Sequence, residues 1–232
     1  MKSSLTFLSL TLALALAGPA LADTFVEPFD GGSNVGGWTF GAPVETIPAS
    51  GGNPGAYLRA EGLDTFAPWP RTTLGVDSPY TGDYRALGVE SVGVDLRTFY
   101  VDFSADDRAL SLMLYSDNGT PGFVDDDWAG YTLGPLAPTP DDGWLSYDFA
   151  VPVNETDWPA GWSWLVFGGS SPPSPDWNLL VADVASLMFS FGDPSGFYIF
   201  QMWQLGLDNP RITTGEVATQ ARTLSEVKAL FR

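Results

Sequence analysis

The sequence contains no cysteine and no histidine. The absence of cysteine excludes a disulfide framework and thiolate chemistry. The absence of histidine removes the usual general base, and with it Ser-His and Cys-His catalytic groups and histidine-ligated zinc. Any active or metal site must therefore be built largely from carboxylates, hydroxyls, amides and aromatic rings.

Basic residues are also scarce. Ten Lys and Arg stand against 28 Asp and Glu, which gives a net charge of −18. A chain of this charge repels nucleic acids and anionic lipid surfaces and suits neutral ligands or divalent cations better. Acidity also keeps exported proteins in solution without any binding role. With 14% aromatic and only 16% charged residues, the chain has the composition of a folded protein rather than a disordered one.

Long hydrophobic runs are absent except at the N-terminus. There Lys2 precedes an apolar run, Leu5 to Leu16, and the small-residue pattern Ala20-Leu21-Ala22 follows. This arrangement predicts a signal peptide cleaved after Ala22, and no later run approaches the length of a membrane span. Export without cysteine is typical of bacterial proteins. We therefore expect a secreted or periplasmic protein.

Short strands between turn clusters dominate the rest of the chain, which has 26 glycines and 19 prolines. Apolar and polar residues alternate over 92–96, and one face of 110–115 is steadily apolar. Many short strands without intervening helices predict an all-β sandwich. The predicted strands are 24–29, 38–41, 56–60, 71–76, 91–100, 109–116, 128–133, 144–149, 187–191 and 197–212.

Two short helices are predicted beside the strands. One covers 179–185 behind the cap residues Asp176-Trp177-Asn178, and the other covers 223–232, where Thr223 and Glu226 have capping-box spacing. The predicted organisation is a signal peptide (1–22), one domain (23–213), a polar linker (214–222) and the C-terminal helix (223–232).

The order of several motifs resembles known families. Residues 27–32 (EPFDGG) with 36–38 (GGW), and 205–212 (LGLDNPRI), are similar to the opening and closing motifs of galactose-binding-like jelly rolls. Residues 74–77 (LGVD), 80–84 (YTGDY) and 183–189 (DVASLMF) resemble motifs of the laminin B (laminin IV) domain. The combined resemblance covers roughly 24–213. It implies a jelly-roll β-sandwich with a binding or adhesive role rather than a catalytic one.

The same resemblance implies a calcium site. In the resembled jelly rolls the opening acid and the Asp of the last strand lie side by side and often hold a structural Ca²⁺. Here these positions are Asp30, with Glu27 near it, and Asp208. Carboxylates with backbone carbonyls suit this hard cation. The alternative is that Asp30 caps a turn and Asp208 merely ends a strand.

Tryptophans are the candidate ligand platform, because aromatic rings stack against the C–H faces of sugars. The stretch 157–164 (DWPAGWSW) holds three of them, and Trp177 follows. Trp162 and Trp164 are two residues apart, so in a strand 162–167 they share one face, and we predict that both lie in the core. Trp158 and Trp177 flank Pro-rich turns. We predict that they are exposed and bind ligand, with Trp69 and Trp128 contributing from other loops.

The leading hypothesis is a non-catalytic extracellular module that binds a glycan or another surface component. One alternative is a protein-interaction or matrix module that docks through its C-terminal helix. Another is a glycoside hydrolase with an Asp/Glu pair, which needs two acids across a cleft. Acids are abundant here, so chance pairs are certain, and no sequence motif singles out a catalytic pair.

Overall fold

The computed structural model describes residues 22–75, 77–103, 105–120, 127–167 and 175–215. The predicted signal peptide except its last residue, most of the predicted linker and the whole predicted C-terminal helix lie outside these ranges. The strands are β1 (Asp23–Val26), β2 (Trp38–Thr39), β3 (Val44–Thr46), β4 (Leu58–Thr65), β5 (Arg71–Thr72), β6 (Val89–Val101), β7 (Ala109–Ser116), β8 (Trp128–Leu136), β9 (Leu145–Ala150), β10 (Trp162–Val166), β11 (Ser186–Phe191) and β12 (Gln201–Thr214). The helices are α1 (Tyr84–Leu87) and α2 (Trp177–Ala182).

These strands form two antiparallel sheets. In sheet A the order is β3-β4-β12-β6-β9, and β1 pairs with the end of β12. In sheet B the order is β10-β8-β7-β11-β5-β2. The chain crosses repeatedly between the sheets, because consecutive strands such as β5, β6 and β7 belong alternately to B, A and B. The predicted all-β sandwich is confirmed.

The core lies between the inner faces of the two sheets. Alternate residues of the central strands point inward and are fully buried, as the period-two pattern requires. Sheet A contributes Val94, Leu96, Leu205 and Leu207, and sheet B contributes Leu110, Leu112, Leu114, Leu187, Phe189 and Phe191. The alternation visible in 92–96 and 110–115 therefore identified inner-face positions correctly.

The helices are short and capped by aspartates. Asp176 accepts hydrogen bonds from the backbone N–H groups of Asn178 and Leu179, so α2 begins at Trp177, two residues before the predicted start. Helix α1, which was not predicted, begins after Asp83 and ends at Gly88, whose φ of 65° favours glycine. Strand β3 was not predicted either. Within the described residues, neither helix is long and apolar enough to cross a membrane.

Candidate functional site

A pocket of about 480 Å³ opens where strand β11 leaves sheet B. The β4–β5 connection (66–70) and the β11–β12 connection (192–200) form its sides. Arg71 pairs with Met188 across β5 and β11, so both side chains lie on the outer face of sheet B. Ser190, two residues further along β11, has the same orientation and reaches the pocket. Strand register therefore places one cation and one hydroxyl at the site.

Aromatic rings form much of the pocket wall: Phe66, Trp69, Phe197 and Tyr198 all line it. Trp69 is half-buried and meets Phe167 edge-on, with ring centres 5.8 Å apart. Phe197 is 90% exposed. Such a wall offers flat apolar surface to a ligand.

The Tyr198 ring is held in place from several sides. The guanidinium carbon of Arg108 lies 4.4 Å from the ring centre, and the Asp193 backbone N–H donates to the Tyr198 hydroxyl at 2.7 Å. A Cβ atom at Gly192 would lie 2.7 Å from the ring, so only glycine allows this close approach. Arg108 also donates to the Phe66 carbonyl at 2.8 Å, which ties the two sides of the pocket together. The wall is therefore largely pre-organised.

Two polar atoms of the pocket residues lack partners. Trp69 Nε1 and Ser190 Oγ are buried, and neither has a hydrogen-bond partner within the described part of the chain. A buried polar atom without a partner costs roughly 1–3 kcal/mol. Such atoms therefore mark positions where the polar groups of a ligand can bind.

Charged groups complete the site. Arg71 Nη1 donates to the Trp69 carbonyl at 3.2 Å. Burial lowers the pKa of Arg71, and the nearby Glu45 carboxylate partly opposes this shift. Asp193 accepts hydrogen bonds from the Ser195 backbone N–H at 2.9 Å and the Ser195 hydroxyl at 2.7 Å. Both signs of charge are thus present at the pocket.

Of the four tryptophans predicted to bind ligand, only Trp69 lines this pocket. Trp128 and Trp177 are 2% and 1% exposed, so neither offers a ring face to a ligand. Trp158 is half-buried and lies against both, with ring centres 6.2 Å from Trp128 and 5.6 Å from Trp177. The prediction that Trp177 is exposed is wrong, and so is the placement of Trp128 on a ligand surface.

The reason for the error at Trp177 is the true start of helix α2. Trp177, Leu180 and Val181 share the buried face of this helix, a spacing of three and four residues that the sequence already displayed. The indole N–H, which must be satisfied on burial, donates to the Pro152 carbonyl at 3.2 Å. The acceptor for this core ring therefore comes from the connection between β9 and β10, 25 residues earlier in the chain.

Trp162 and Trp164, which were both predicted to lie in the core, differ in burial. Trp162 is partly buried against the core, with its ring centre 4.8 Å from that of Trp177. Trp164, on the same face of β10, is 46% exposed, so the prediction that it lies in the core is wrong. Strand β10 is at the edge of sheet B, where a side chain pointing inward finds less cover. The alternation of side chains was predicted correctly, but the sequence did not reveal that β10 lies at the edge of its sheet.

The three predicted calcium ligands, Glu27, Asp30 and Asp208, do not form a single cluster of carboxylates among the described residues. Asp208 is buried and accepts the Asn209 backbone N–H at 2.8 Å, and also the Asn53 backbone N–H. Glu27 is also buried, and its carboxylate accepts the Gly36 N–H at 2.9 Å. Within the described residues no group of three or more His, Cys, Asp or Glu is placed to hold a metal ion. Calcium binding stays a prediction that rests on Asp30 and Asp208 with backbone carbonyls.

Asp30 and Asp208 do interact. Burial, opposed by the two backbone hydrogen bonds, raises the pKa of Asp208 to about 6, and the negative charges of Asp95 and Asp30 add to the rise. The loop 52–55 approaches both carboxylates: a Cβ at Gly55 would lie 3.8 Å from Asp30 Oδ1, and one at Gly52 only 2.5 Å from Asp208 Oδ2. A cation between these carboxylates would relieve their repulsion.

This carboxyl group predicts a pH dependence of stability in the presence of a chelator. The folded pKa is about 6 and the unfolded value is 3.8, so the folded state binds more protons between these pH values. The free energy of unfolding should therefore fall as pH rises from about 4 to 6, by at most about 3 kcal/mol and less where solvent screens the charges. Chemical denaturation in EDTA at several pH values measures this. Asp208→Asn is the control, and the same slope in that variant would contradict the assignment.

Comparisons with known proteins identify no family. No family model matches the chain, and no curated protein matches it. Among solved structures, the chain is similar to an exo-β-agarase (13% identity, TM-score 0.43), with 87% of this chain and 29% of the agarase covered. It is also similar to a family 11 carbohydrate-binding module from Clostridium thermocellum in complex with a β-1,3-1,4-mixed-linked tetrasaccharide (12% identity, TM-score 0.41, 87% and 92% covered).

A third similar structure is SGBP-B from a complex xyloglucan utilization locus in Bacteroides uniformis (13% identity, TM-score 0.35, 82% and 49% covered). None of the three is described as a laminin B domain, so that part of the sequence resemblance is not confirmed. At these identities and TM-scores the similarity carries no argument about function.

Proposed function

We propose that this protein is a non-catalytic binding module that holds a neutral glycan in the pocket beside β11. The observation that carries the proposal is a pair of buried polar atoms, Trp69 Nε1 and Ser190 Oγ, in residues that line an aromatic-walled pocket. Neither atom has a hydrogen-bond partner among the residues that the structure describes. Sugars present hydroxyl groups and apolar C–H faces together, and this combination matches such a pocket.

Size and charge support the same ligand class. A volume of about 480 Å³ lies within the range of small-ligand sites, roughly 300–1,000 Å³. The net charge of −18 disfavours the approach of a polyanion, whereas a neutral oligosaccharide is unaffected. We infer that the pocket takes a short neutral segment or the end of a neutral chain.

Binding is favoured over hydrolysis by the acids at the pocket. Among the described residues that line the pocket, Asp193 alone carries a carboxylate, and this group accepts a hydrogen bond from the Ser195 hydroxyl. Glycoside hydrolysis generally requires two carboxyl groups flanking the scissile bond. The extracellular setting remains part of the proposal and rests on the predicted signal peptide.

The test begins with an array of neutral glycans and then compares wild type with Ser190→Ala. The variant removes a buried hydroxyl that has no partner in the described part of the chain, so we expect the ligand-free protein to gain about 1 kcal/mol of unfolding free energy. Its affinity for the glycan identified on the array should fall several-fold, because the hydroxyl no longer bonds to the ligand. Denaturation and calorimetry measure the two effects.

A gain in unfolding free energy together with a loss of glycan affinity in Ser190→Ala is the result expected if this hydroxyl binds the ligand. Thr73→Val is the control: its hydroxyl donates to the Gly37 carbonyl at 2.8 Å on an exposed stretch and does not line the pocket. No binding on the array, or unchanged affinity in Ser190→Ala, would contradict the proposal.

We also propose that Ca²⁺ binds between Asp30 and Asp208 as a structural ion. The support is the raised pKa of Asp208, together with a loop whose glycines approach both carboxylates. Added Ca²⁺ should raise the melting temperature and EDTA should reverse the rise, with Asp30→Asn abolishing both effects. An unchanged melting temperature would rule the ion out.

A further inference from the structure

The outer face of sheet A carries two arginines on either side of a glycine. Strand register places Arg59 of β4 and Arg97 of β6 directly opposite Gly206 of β12. Since neighbouring strands lie about 4.8 Å apart, the two arginine backbones stand roughly 10 Å apart on one face. Neither arginine nor Gly206 lines the pocket beside β11.

Aromatic rings occupy the space above Gly206. A Cβ atom there would lie 2.7 Å from Trp144 Cη2 and 3.0 Å from Phe99 Cε2, so both rings lean over the glycine. The Trp144 indole N–H donates to the Gly51 carbonyl at 2.9 Å, and its ring meets Tyr57 edge-on at 5.3 Å. Phe99 and Trp144 both remain partly exposed. Together these rings form a fixed aromatic surface.

Both guanidinium groups lie against Phe99. Their central carbons are 5.0 Å (Arg59) and 4.7 Å (Arg97) from the centre of the Phe99 ring. Such cation–π contacts hold an arginine in position while leaving its N–H groups available. Arg59 is also close to an acid, with its Nε 2.6 Å from Glu61 Oε1.

Arg97 differs in having no counter-ion among the described residues. The described residues include six arginines and no lysine. Across those residues Arg97 has no carboxylate within 4.0 Å, and its buried Nε has no hydrogen-bond acceptor. A buried cationic donor without an acceptor is costly. In a chain with 28 acids, an unpaired arginine of this kind points to an acceptor supplied from outside.

We propose that this face, the Arg97 site (Arg59, Arg97, Phe99 and Trp144), binds the carboxylate of an acidic sugar residue. The planar guanidinium of Arg97 bonds the carboxylate of a uronic acid, and Arg59 adds positive charge. The sugar ring stacks on the neighbouring aromatic surface. This site is separate from the neutral-glycan pocket and does not depend on it.

The net charge of −18 disfavours a polyanion at low salt, so the experiment is a calorimetric titration of the full chain at about 0.15 M salt, where exposed charges more than about 8 Å apart are largely screened. The ligands are tetragalacturonate and its carboxyl-reduced, neutral counterpart. Wild type should bind the acidic tetrasaccharide and prefer it to the neutral one. Arg97→Gln should weaken acidic binding about tenfold or more, since a hydrogen bond to a charged group is lost. Arg97→Lys keeps the positive charge but loses the planar guanidinium that can bond a carboxylate through two N–H groups. Its affinity should therefore lie between those of wild type and Arg97→Gln.

Two variants serve as controls. Arg85→Gln makes the same change in net charge at a side chain that bonds the Val153 and Glu155 carbonyls, and it should bind as wild type does. Ser190→Ala should also leave acidic binding unchanged, whereas loss of acidic binding there would move the acidic glycan to the pocket and overturn the proposal.

Three further results would contradict the Arg97 site. These are no binding of tetragalacturonate by wild type, an Arg97→Gln affinity equal to that of Arg85→Gln, and inorganic sulfate binding as tightly as the tetrasaccharide. The last result would mean an anion site without sugar recognition. If Arg97→Gln does not fold, the comparison is made with Arg97→Lys, for which an unchanged affinity counts against the proposal.

Discussion

Replacing Trp177 with alanine is expected to lower the free energy of unfolding by about 3–5 kcal/mol. The ring is 1% exposed and packs against Trp158 and Trp162, so truncation leaves a large cavity in the core. It also removes the donor to the Pro152 carbonyl. Denaturant unfolding of the variant measures the loss. A change of this size is a large fraction of the stability of an ordinary domain.

The same helix offers a matched control for this prediction. Leu179 is 66% exposed, two residues after Trp177, so Leu179→Ala should change the unfolding free energy by no more than about 0.5 kcal/mol. Trp177→Ala should leave glycan affinity intact under conditions where the variant is folded. If Trp177→Ala is as stable as Leu179→Ala, or loses glycan binding without losing stability, Trp177 is a ligand-binding residue after all.

Replacing Trp69 with alanine is expected to weaken binding of the neutral glycan by about 30-fold, or roughly 2 kcal/mol, as for a central aromatic contact. The substitution removes the stacking face from the pocket wall and also removes an indole N–H that has no partner within the described ranges. Trp69→Phe keeps a ring and removes only the donor, so we expect a loss of several-fold. Calorimetry with the glycan identified on the array gives both values.

Trp164→Ala is the control, because Trp164 is an exposed tryptophan on edge strand β10 and does not line the pocket. Its affinity should match wild type. If Trp164→Ala weakens binding as much as Trp69→Ala does, the glycan binds at the edge of sheet B, and the proposed pocket is wrong.

Most of the fold was predictable from local patterns. Strand β7 has the predicted bounds, 109–116, and β6 and β12 lie within two to four residues of theirs, because alternation and turn residues act over short stretches. The missed elements, β3 and α1, are three and four residues long, and segments this short carry too little periodicity to detect. The resemblance to galactose-binding-like domains implied a sandwich, and the structure has one.

The candidate sites were harder to predict. Trp69 was identified as a ligand residue and lies in the pocket wall, but its neighbours Arg71, Ser190 and Tyr198 were not identified. They come from three separate segments, and only strand pairing brings them together. A single serine in a strand, such as Ser190, has no sequence feature that marks it as a binding residue. Only the tertiary structure places the Ser190 hydroxyl where it has no partner among the described residues.

The sequence by itself determined the absence of thiol and imidazole chemistry, the acidic charge and the alternating strands of an all-β domain. Each of these depends on composition or on neighbours within a few residues. Tertiary structure alone decided which rings are buried. Trp177 of α2 is covered by Trp158 and by Trp162 of β10, while Trp164, on the same face of β10 as Trp162, is exposed at a sheet edge. Burial depends on which distant segments pack together, and a local pattern does not contain that information.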